Sequence, residues 1–179
     1  MPDAAAPAET APPAEAAPAA TNPMVGGVAM DASKDIVANA SAAPNLSTLV
    51  AAVQAAGLVE TLQGAGPFTV FAPTDDAFKA LPAGTVEGLL KPEAKADLTG
   101  VLTYHVVPGN IDAATLTQQI TDGGGEAKLT TVQGAVLTAK AAGGTVTLTD
   151  AKGNVANVTT ADVKQSNGVV HVIDKVLLP

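Results

Sequence analysis

The sequence predicts one α+β domain in which helices come first along the chain and an antiparallel sheet follows. Apolar residues recur at helical spacing through much of residues 33–120. From Ala127 onward, short runs of Val, Thr and Leu alternate with Gly-rich turns. The 179 residues are 47% apolar, which is enough for a single core, and three Phe, one Tyr and no Trp make that core mainly aliphatic.

Residues 1–23 differ in composition from the rest of the chain. They consist almost entirely of Ala, Pro, Glu and Thr, with no large apolar residue after Met1. Such a segment cannot offset the entropy of ordering, and its prolines favour extended conformations. We therefore expect residues 1–23 to form a disordered spacer, with a remnant of an expression tag as the alternative, and residues 24–179 to form a single domain.

The clearest helix is predicted in the segment NLSTLVAAVQAAGL. Its apolar residues follow i, i+3, i+4, i+7 spacing: Leu46, Leu49, Val50 and Val53. Asn45 or Ser47 can cap the start of this helix, and Gly57 can end it. An earlier helix is predicted over residues 33–40.

The segment GPFTVFAPTDDAFKAL predicts a short buried strand over residues 68–72, then a turn and a helix. Thr74 supplies the N-cap, and Asp75 and Asp76 occupy the first turn, where the helix dipole favours negative charge. Neighbouring helical residues point about 100° apart, so the two carboxylates do not share a proton. A favourable interaction with the N-terminus of the helix explains Asp75 and Asp76 better than a role in acid–base catalysis does.

The remaining elements follow from proline, capping and glycine signals. Two further helical pieces precede residue 103, with Pro92 at a first helical position, and a short helix covers residues 113–120 with Asp112 as its cap. Three turn signals separate the later strands: Gly143-Gly144, residues 150–154 and residues 166–168. The segment TDAKGNVAN has the acidic residues and glycine of a calcium loop, but Lys152 stands where a ligand should be, so a hairpin is preferred.

Charge and cysteine content exclude several classes of function. Nine Lys, no Arg and seventeen acidic residues give a net charge of −8, which repels nucleic acid and anionic lipid. The chain has no Cys, and therefore no disulfide, thiolate nucleophile or zinc–thiolate site. A surface without Arg and with few aromatic residues lacks the usual anchors of a tight protein interface, so we expect modest or multivalent binding.

Membrane insertion and an intact signal peptide are not predicted. The uncharged residues 36–59 contain Asn39, Pro44, Asn45 and Gln54, and they divide into two amphipathic pieces. Met1 is followed by Pro-Asp-Ala and not by a basic and then an apolar region, so we expect a mature or trimmed form.

Asn39, Asn45 and Asn157 match the glycosylation pattern, a short motif that often occurs by chance.

The two histidines are the candidates for chemistry. His105 follows Tyr104, the only tyrosine, and His171 lies in GVVHVIDKVLL, which predicts a strand buried on both faces. A histidine can act as acid, base or ligand, but one embedded in aliphatic residues is usually a hydrogen-bonded core residue. We expect His105 to enter a strand and to bond to Thr74 or Asp75. No catalytic residue, metal site or cofactor is predicted.

Three segments together resemble the conserved regions of fasciclin (FAS1) domains: GPFTVFAPTDDAF at 66–78, YHVVPG at 104–109 and NGVVHVIDKVLLP at 167–179. Their order and spacing match as well. The resemblance implies a wedge-shaped antiparallel β-sandwich with several helices packed along it. It also implies a structural motif of Thr74, Asp75, His171 and Asp174. An interaction motif carries over from the family to Leu102, Tyr104, His105, Val106 and Val107.

For function, the resemblance implies a non-catalytic adhesion module that is secreted, periplasmic or anchored to the cell envelope. Its partners would be cell-surface or extracellular proteins or polysaccharide, and the domain is expected to be a monomer. The alternative is an envelope protein that binds a small molecule, metal or glycan in a groove on the wedge. The two classes differ in whether converging polar groups line a cleft. An enzyme is the third and weakest hypothesis.

Overall fold

The computed structural model describes residues 24–25, 27–31, 33–64, 67–82, 84–165 and 168–179. The spacer predicted for residues 1–23 lies outside these ranges. The helices within them are α1 (Ile36–Ala42), α2 (Ser47–Ala56), α3 (Val59–Gln63), α4 (Asp75–Lys79), α5 (Thr85–Leu89), α6 (Lys95–Tyr104) and α7 (Ala113–Asp122). Short 3-10 turns at Pro44–Leu46 and Pro92–Ala94 precede α2 and α6.

The strands are β1 (Met24–Val25), β2 (Val28–Ala29), β3 (Phe68–Pro73), β4 (Val106–Pro108), β5 (Glu126–Thr130), β6 (Val136–Ala142), β7 (Thr145–Thr149), β8 (Val155–Gln165) and β9 (Gly168–Ile173). Strands β1 and β2 pair with each other. The other seven form one sheet in the order β4-β3-β9-β8-β7-β6-β5. The backbone N–H of Val132 donates to the carbonyl of Val106 at 2.8 Å, which brings the two edges of this sheet together. The predicted α+β class is confirmed.

One strand pair differs from the antiparallel expectation, because β3 and β9 run parallel. The chain leaves β3, passes through four helices and five strands, and returns in the same direction, which a parallel pairing requires. The start of β9 lies unusually close to β3. A Cβ atom on Gly168 would stand 1.9 Å from the carbonyl oxygen of Phe68, and φ of Gly168 is 157°. Only glycine fits there.

Local capping chemistry explains four of the helix ends. The side chains of Asp35, Thr74 and Asp112 accept the backbone N–H groups that α1, α4 and α7 leave free in their first turns. Gly57 ends α2 in the left-handed region, with φ of 74°. The caps predicted at Thr74, Asp112 and Gly57 are therefore confirmed. The expected cap of α2 by Asn45 or Ser47 is wrong, because neither side chain accepts a hydrogen bond from that helix end.

Two hydrophobic clusters lie on opposite sides of β3 and β9. The first is formed by the helices with alternate residues of these strands, including Val70, Ala72, Val170 and Val172. The second contains Phe71, Tyr104 and Ile173. Its remaining members come largely from the inward faces of β5 to β8, including Ala127, Leu129, Leu137, Ala139, Leu148 and Ala156. All six residues of β9 are buried, so the strand predicted to be covered on both faces is confirmed.

The predicted hairpins are also present. Gly143 and Gly144 join β6 to β7 with φ of 59° and 86°, as a two-residue turn with positive φ at both positions requires. Residues 150–154 join β7 to β8 and form a turn. The turn predicted at 166–168 falls partly outside the described residues.

In the described ranges no single helix is long and apolar enough to cross a membrane; only Ile36–Ala42 with Pro44–Ala56, bent by 109°, passes that test as a pair.

Candidate functional site

His105 lies at the C-terminus of α6 and connects it to the C-terminal segment. Its Nδ1 donates to the carbonyl of Val101 at 2.7 Å, and its Nε2 accepts the backbone N–H of Leu177 at 2.9 Å. The expected partners Thr74 and Asp75 are therefore wrong. His105 caps α6 with φ of −90° and ψ of −3°, and β4 begins one residue later than expected.

The hydrogen bonds of His105 require a neutral ring with the proton on Nδ1. The residue is 2% exposed. Burial lowers the pKa of His105 to about 4, against the opposing effects of the Val101 carbonyl and the charge of Asp150. At neutral pH the ring is uncharged, and each nitrogen is used by the fold.

Tyr104 holds the turn between β7 and β8. Its hydroxyl oxygen accepts the backbone N–H of Ala151 at 2.9 Å, and its ring stands edge-on to that of His105 with centroids 6.5 Å apart. Burial raises the pKa of Tyr104, and the neighbouring charge of Asp150 raises it further, while the bond from Ala151 acts in the opposite direction. Tyr104 therefore acts as a neutral acceptor inside the second cluster.

Asp150 completes this arrangement, although the sequence analysis considered it only as part of a turn. Its carboxylate accepts the backbone N–H groups of Lys152, Asn154 and Leu178 at 2.8 to 3.1 Å, and also the side-chain amide of Asn154. Burial raises the pKa of this carboxyl, but these hydrogen bonds outweigh it and the net pKa is lowered. We call Tyr104, His105 and Asp150 the C-terminal clasp, because they join α6, the β7–β8 turn and residues 177–178.

The five residues of the family interaction motif all lie in the interior. Tyr104 is fully buried, and the others are at most 7% exposed: Leu102, His105, Val106 and Val107. The structure thus brings the motif together around α6 and β4 and uses its polar groups internally. The interaction role carried over from the family stays a prediction.

His171 forms a second junction, on β9. Its Nε2 donates to the carbonyl of Ile111 at 2.7 Å, and its Nδ1 accepts the backbone N–H of Asp162 at 3.3 Å. Asp162 has φ of 57° within an irregular part of β8. Burial lowers the pKa of His171, while the charges of Asp162 and Asp112 act in the opposite direction. The ring also stacks on Phe71, with centroids 5.5 Å apart.

The remaining motif residues join separate elements. Asp75 accepts the hydroxyl of Ser47 and the backbone N–H of Thr48, both at 2.8 Å, so it caps α2 from α4. Burial raises the pKa of Asp75, but these bonds outweigh it and the net pKa is lowered. Asp174 accepts the backbone and side-chain N–H groups of Asn157 at 2.8 and 3.0 Å, which continues the β8–β9 pairing by one step.

Two cavities among the described residues differ in character. Beside His105, a cavity of about 30 Å³ is lined otherwise by apolar side chains from α1, α2, α3, α6 and the sheet. At the surface, a groove of about 640 Å³ lies between the end of α4, the β7–β8 turn and the C-terminal segment, with Lys175 as its charged lining residue. Among the described residues no group of three or more His, Asp or Glu side chains is placed to hold a metal ion.

Comparisons with known proteins agree with this architecture. The family model for the fasciclin domain matches residues 44–179. Protein sll1483 of Synechocystis sp. is 53% identical over 87% of this chain and 79% of its own length. The cell surface glycolipoprotein MPB83 of Mycobacterium bovis is 38% identical over 90% of this chain and 68% of its own length.

Among solved structures, the FAS1 domain pair of the insect cell adhesion molecule Fasciclin I superimposes with a TM-score of 0.72 at 19% identity. The superposition covers 82% of this chain and 51% of that one, so this chain spans about half of the domain pair. The likeness concerns the fold alone.

Proposed function

Because the chain belongs to the fasciclin family, we propose that it is a non-catalytic adhesion module that acts outside the cytoplasm. At the level of the family, its relatives support a role as an adhesion or surface-protein module. The observation that carries the proposal is the extensive identity to a cell surface glycolipoprotein. Its partners are surface or extracellular proteins or polysaccharide.

The use of the reactive side chains favours binding over catalysis. Both ring nitrogens of His105 and of His171 are engaged by backbone groups. Tyr104 and Asp150 are likewise bonded inside the clasp. A general acid or base must reach a substrate proton, and these groups instead hold the elements of the fold together.

The experiment that tests adhesion compares the soluble chain with many copies of the chain coupled to one bead. A surface without Arg and with few aromatic residues gives weak contacts per domain, which add up when many copies are displayed. We expect beads coated with the full chain to adhere to immobilised cell-envelope and extracellular-matrix fractions, while the soluble chain is retained poorly. Beads coated with serum albumin at equal density are the control, and no adhesion above that control would refute the proposal.

The surface groove favours a second candidate function, the binding of a small ligand. It combines apolar side chains such as Leu81 and Val176 with the polar groups of Asn154 and Lys175. A thermal-shift screen of the full chain against small metabolites, metal ions and oligosaccharides tests this candidate. Binding in the groove would be established by a ligand that raises the melting temperature of the unmodified chain and of Lys128→Ala, which lies on another face, but not that of Lys175→Ala.

A further inference from the structure

Residues 175–179, which we call the C-terminal latch, follow β9 and pair with no strand among the described residues. Their hydrogen bonds to the rest of the described chain are two in number. The N–H of Leu177 donates to Nε2 of His105 at 2.9 Å, and the N–H of Leu178 donates to the carboxylate of Asp150 at 3.1 Å. Both acceptors are titratable side chains, so the attachment of the latch depends on their protonation.

The apolar side chains of the latch close both hydrophobic clusters at one edge. Val176 is 4% exposed and belongs to the first cluster, and Leu177 is fully buried in the second. The neighbouring strand β9 is held far more firmly, because all six of its residues are buried and it pairs with β3 and β8. The latch can therefore leave without breaking any strand pairing, as a local opening of the domain.

His105 can hold the latch only in its neutral form. Because Nδ1 donates to the carbonyl of Val101, Nε2 carries the lone pair that accepts the N–H of Leu177. A proton on Nε2 turns this acceptor into a donor that faces another donor. The charged ring is then buried with one N–H group unpaired, and departure of the latch allows water to reach that group.

The surroundings of His105 offer few other ways to accommodate a charge. On the helical side, the side chains that line the two cavities next to the ring come from α1 to α6, β3 and β4, and all are apolar except Thr48. On the other side lie Tyr104, which is neutral, and Asp150, whose charge favours the protonated ring. The carboxylate of Asp150 is already bonded to the β7–β8 turn and to the latch. Protonation of Asp150 at still lower pH weakens the second anchor as well.

From these contacts we propose that the C-terminal latch is released by acid, when a proton binds His105, while the rest of the domain stays folded. Release uncovers the apolar edge that Val176 and Leu177 cover in the closed form. Because the latch also lines the surface groove, release removes one wall of that groove. The inference does not depend on the adhesion function proposed above, because it concerns contacts within the chain.

The expected pH range follows from the two forms of the latch. Burial in the closed form lowers the pKa of His105 to about 4, and access of water in the open form brings the pKa back toward the ordinary value of about 6.5. The open form therefore binds the proton first. Acid favours opening progressively as the pH falls from about 6.5 to about 4.

The test is hydrogen exchange of the full chain at pH 7, pH 5 and pH 4, read amide by amide and corrected for the intrinsic effect of pH on exchange. Between pH 7 and pH 4, protection of the Leu177 and Leu178 amides should fall at least about tenfold more than protection of the Val170 and Val172 amides in β9. Equal loss at all four amides would indicate global unfolding and would overturn the inference. Constant protection at Leu177 would overturn it too.

The variant that tests the anchor is His105→Gln, which keeps an acceptor that does not titrate, so the effect of pH on the Leu177 amide should disappear. The matched control is His171→Gln, which changes the other core histidine and should leave that effect in place. The opposite result in either variant would contradict the latch. Unfolding midpoints at pH 7 establish that both variants are folded.

A measurement on the unmodified chain keeps the test independent of these variants. The ring protons of His105 and His171, followed by NMR across the same pH range, give the titration of each histidine. The loss of protection at Leu177 should follow the titration of His105. If it follows His171, or begins only where the carboxyl groups titrate, His105 does not control the latch.

Discussion

His105 and His171 use the same hydrogen-bonding scheme in two different parts of the molecule. In each ring one nitrogen donates to a backbone carbonyl and the other accepts a backbone N–H. Both hydrogen bonds of His105 are buried, whereas both bonds of His171 are only partly buried. Asp112 and Asp162 lie near His171 and favour its charged form.

From this difference we infer that the environment of the bonded groups, more than the burial of the ring, sets how much a core histidine contributes to stability. Where water cannot reach the partners, removing the ring leaves a donor and an acceptor unsatisfied. Where water can reach them, part of that penalty disappears. The two junctions should therefore respond differently to substitution and to acid.

His105→Ala should have the largest effect and lower the free energy of unfolding by about 4 kcal/mol. It creates a cavity and leaves the Val101 carbonyl and the Leu177 N–H without partners. His105→Gln, which keeps a donor and an acceptor, should cost about half as much. Urea denaturation checks both values, and equal midpoints for His105→Ala and the unmodified chain would show that the clasp contributes nothing.

The titration of His105 should cost about 3 kcal/mol of stability between pH 6.5 and pH 4, and His171, whose pKa is also lowered by burial, adds to the loss in the same direction. The folded-state pKa of His105 is lowered to about 4, so the unfolded chain binds its proton first, near pH 6.5. The stabilisation is complete above pH 6.5 and is lost as the pH falls toward 4. Carboxylates with lowered pKa, such as Asp75 and Asp150, add to the loss from about pH 5 downward, because the unfolded carboxyls bind protons first. Unfolding measured across pH should show a shallower slope in His105→Gln, and an unchanged slope would contradict the assignment.

His171→Ala should lower the free energy of unfolding by about 2 kcal/mol, less than His105→Ala. The hydrogen bonds to the Ile111 carbonyl and from the Asp162 N–H are only partly buried, so we expect a smaller penalty for their loss, to which the lost stacking on Phe71 is added. Hydrogen exchange should become faster at Asp162 and in the neighbouring part of β8. If His171→Ala costs as much as His105→Ala, the accessibility of the partners does not determine the penalty.

Tyr104→Phe should have the smallest effect, about 1 kcal/mol. The ring stays in place, and only the acceptor for the Ala151 N–H is removed from a partly buried turn. Exchange of the Ala151 amide should accelerate while the amide of Leu177, bonded to His105, stays protected. Faster exchange at both amides would indicate that the clasp opens as one unit.

Short-range chemistry made much of this fold predictable. The caps at Thr74 and Asp112, the end of α2 at Gly57 and the two-glycine hairpin each depend on residues that are close in sequence. Such signals act through backbone geometry and local hydrogen bonds, which are the same in any tertiary setting.

The partners that lie far apart in sequence were not predictable in this way. The N–H that His105 accepts belongs to a residue 72 positions later, and the cap of α2 comes from Asp75, 27 positions after Thr48. Asn39 bonds to Gln165 across 126 positions. These contacts exist only once the elements have packed, so a single sequence indicates that a buried histidine needs partners without indicating which they are.

The parallel pairing of β3 with β9 has a consequence for how the protein folds. Phe68 pairs with Gly168, so the β3–β9 pairing closes a loop of about 100 residues. Until residues 168–173 have been synthesised, β3 and β8 lack the strand that lies between them. We therefore expect folding of the whole domain to wait for its last strand and its rate to be limited by this distant encounter, in the range of about milliseconds to seconds.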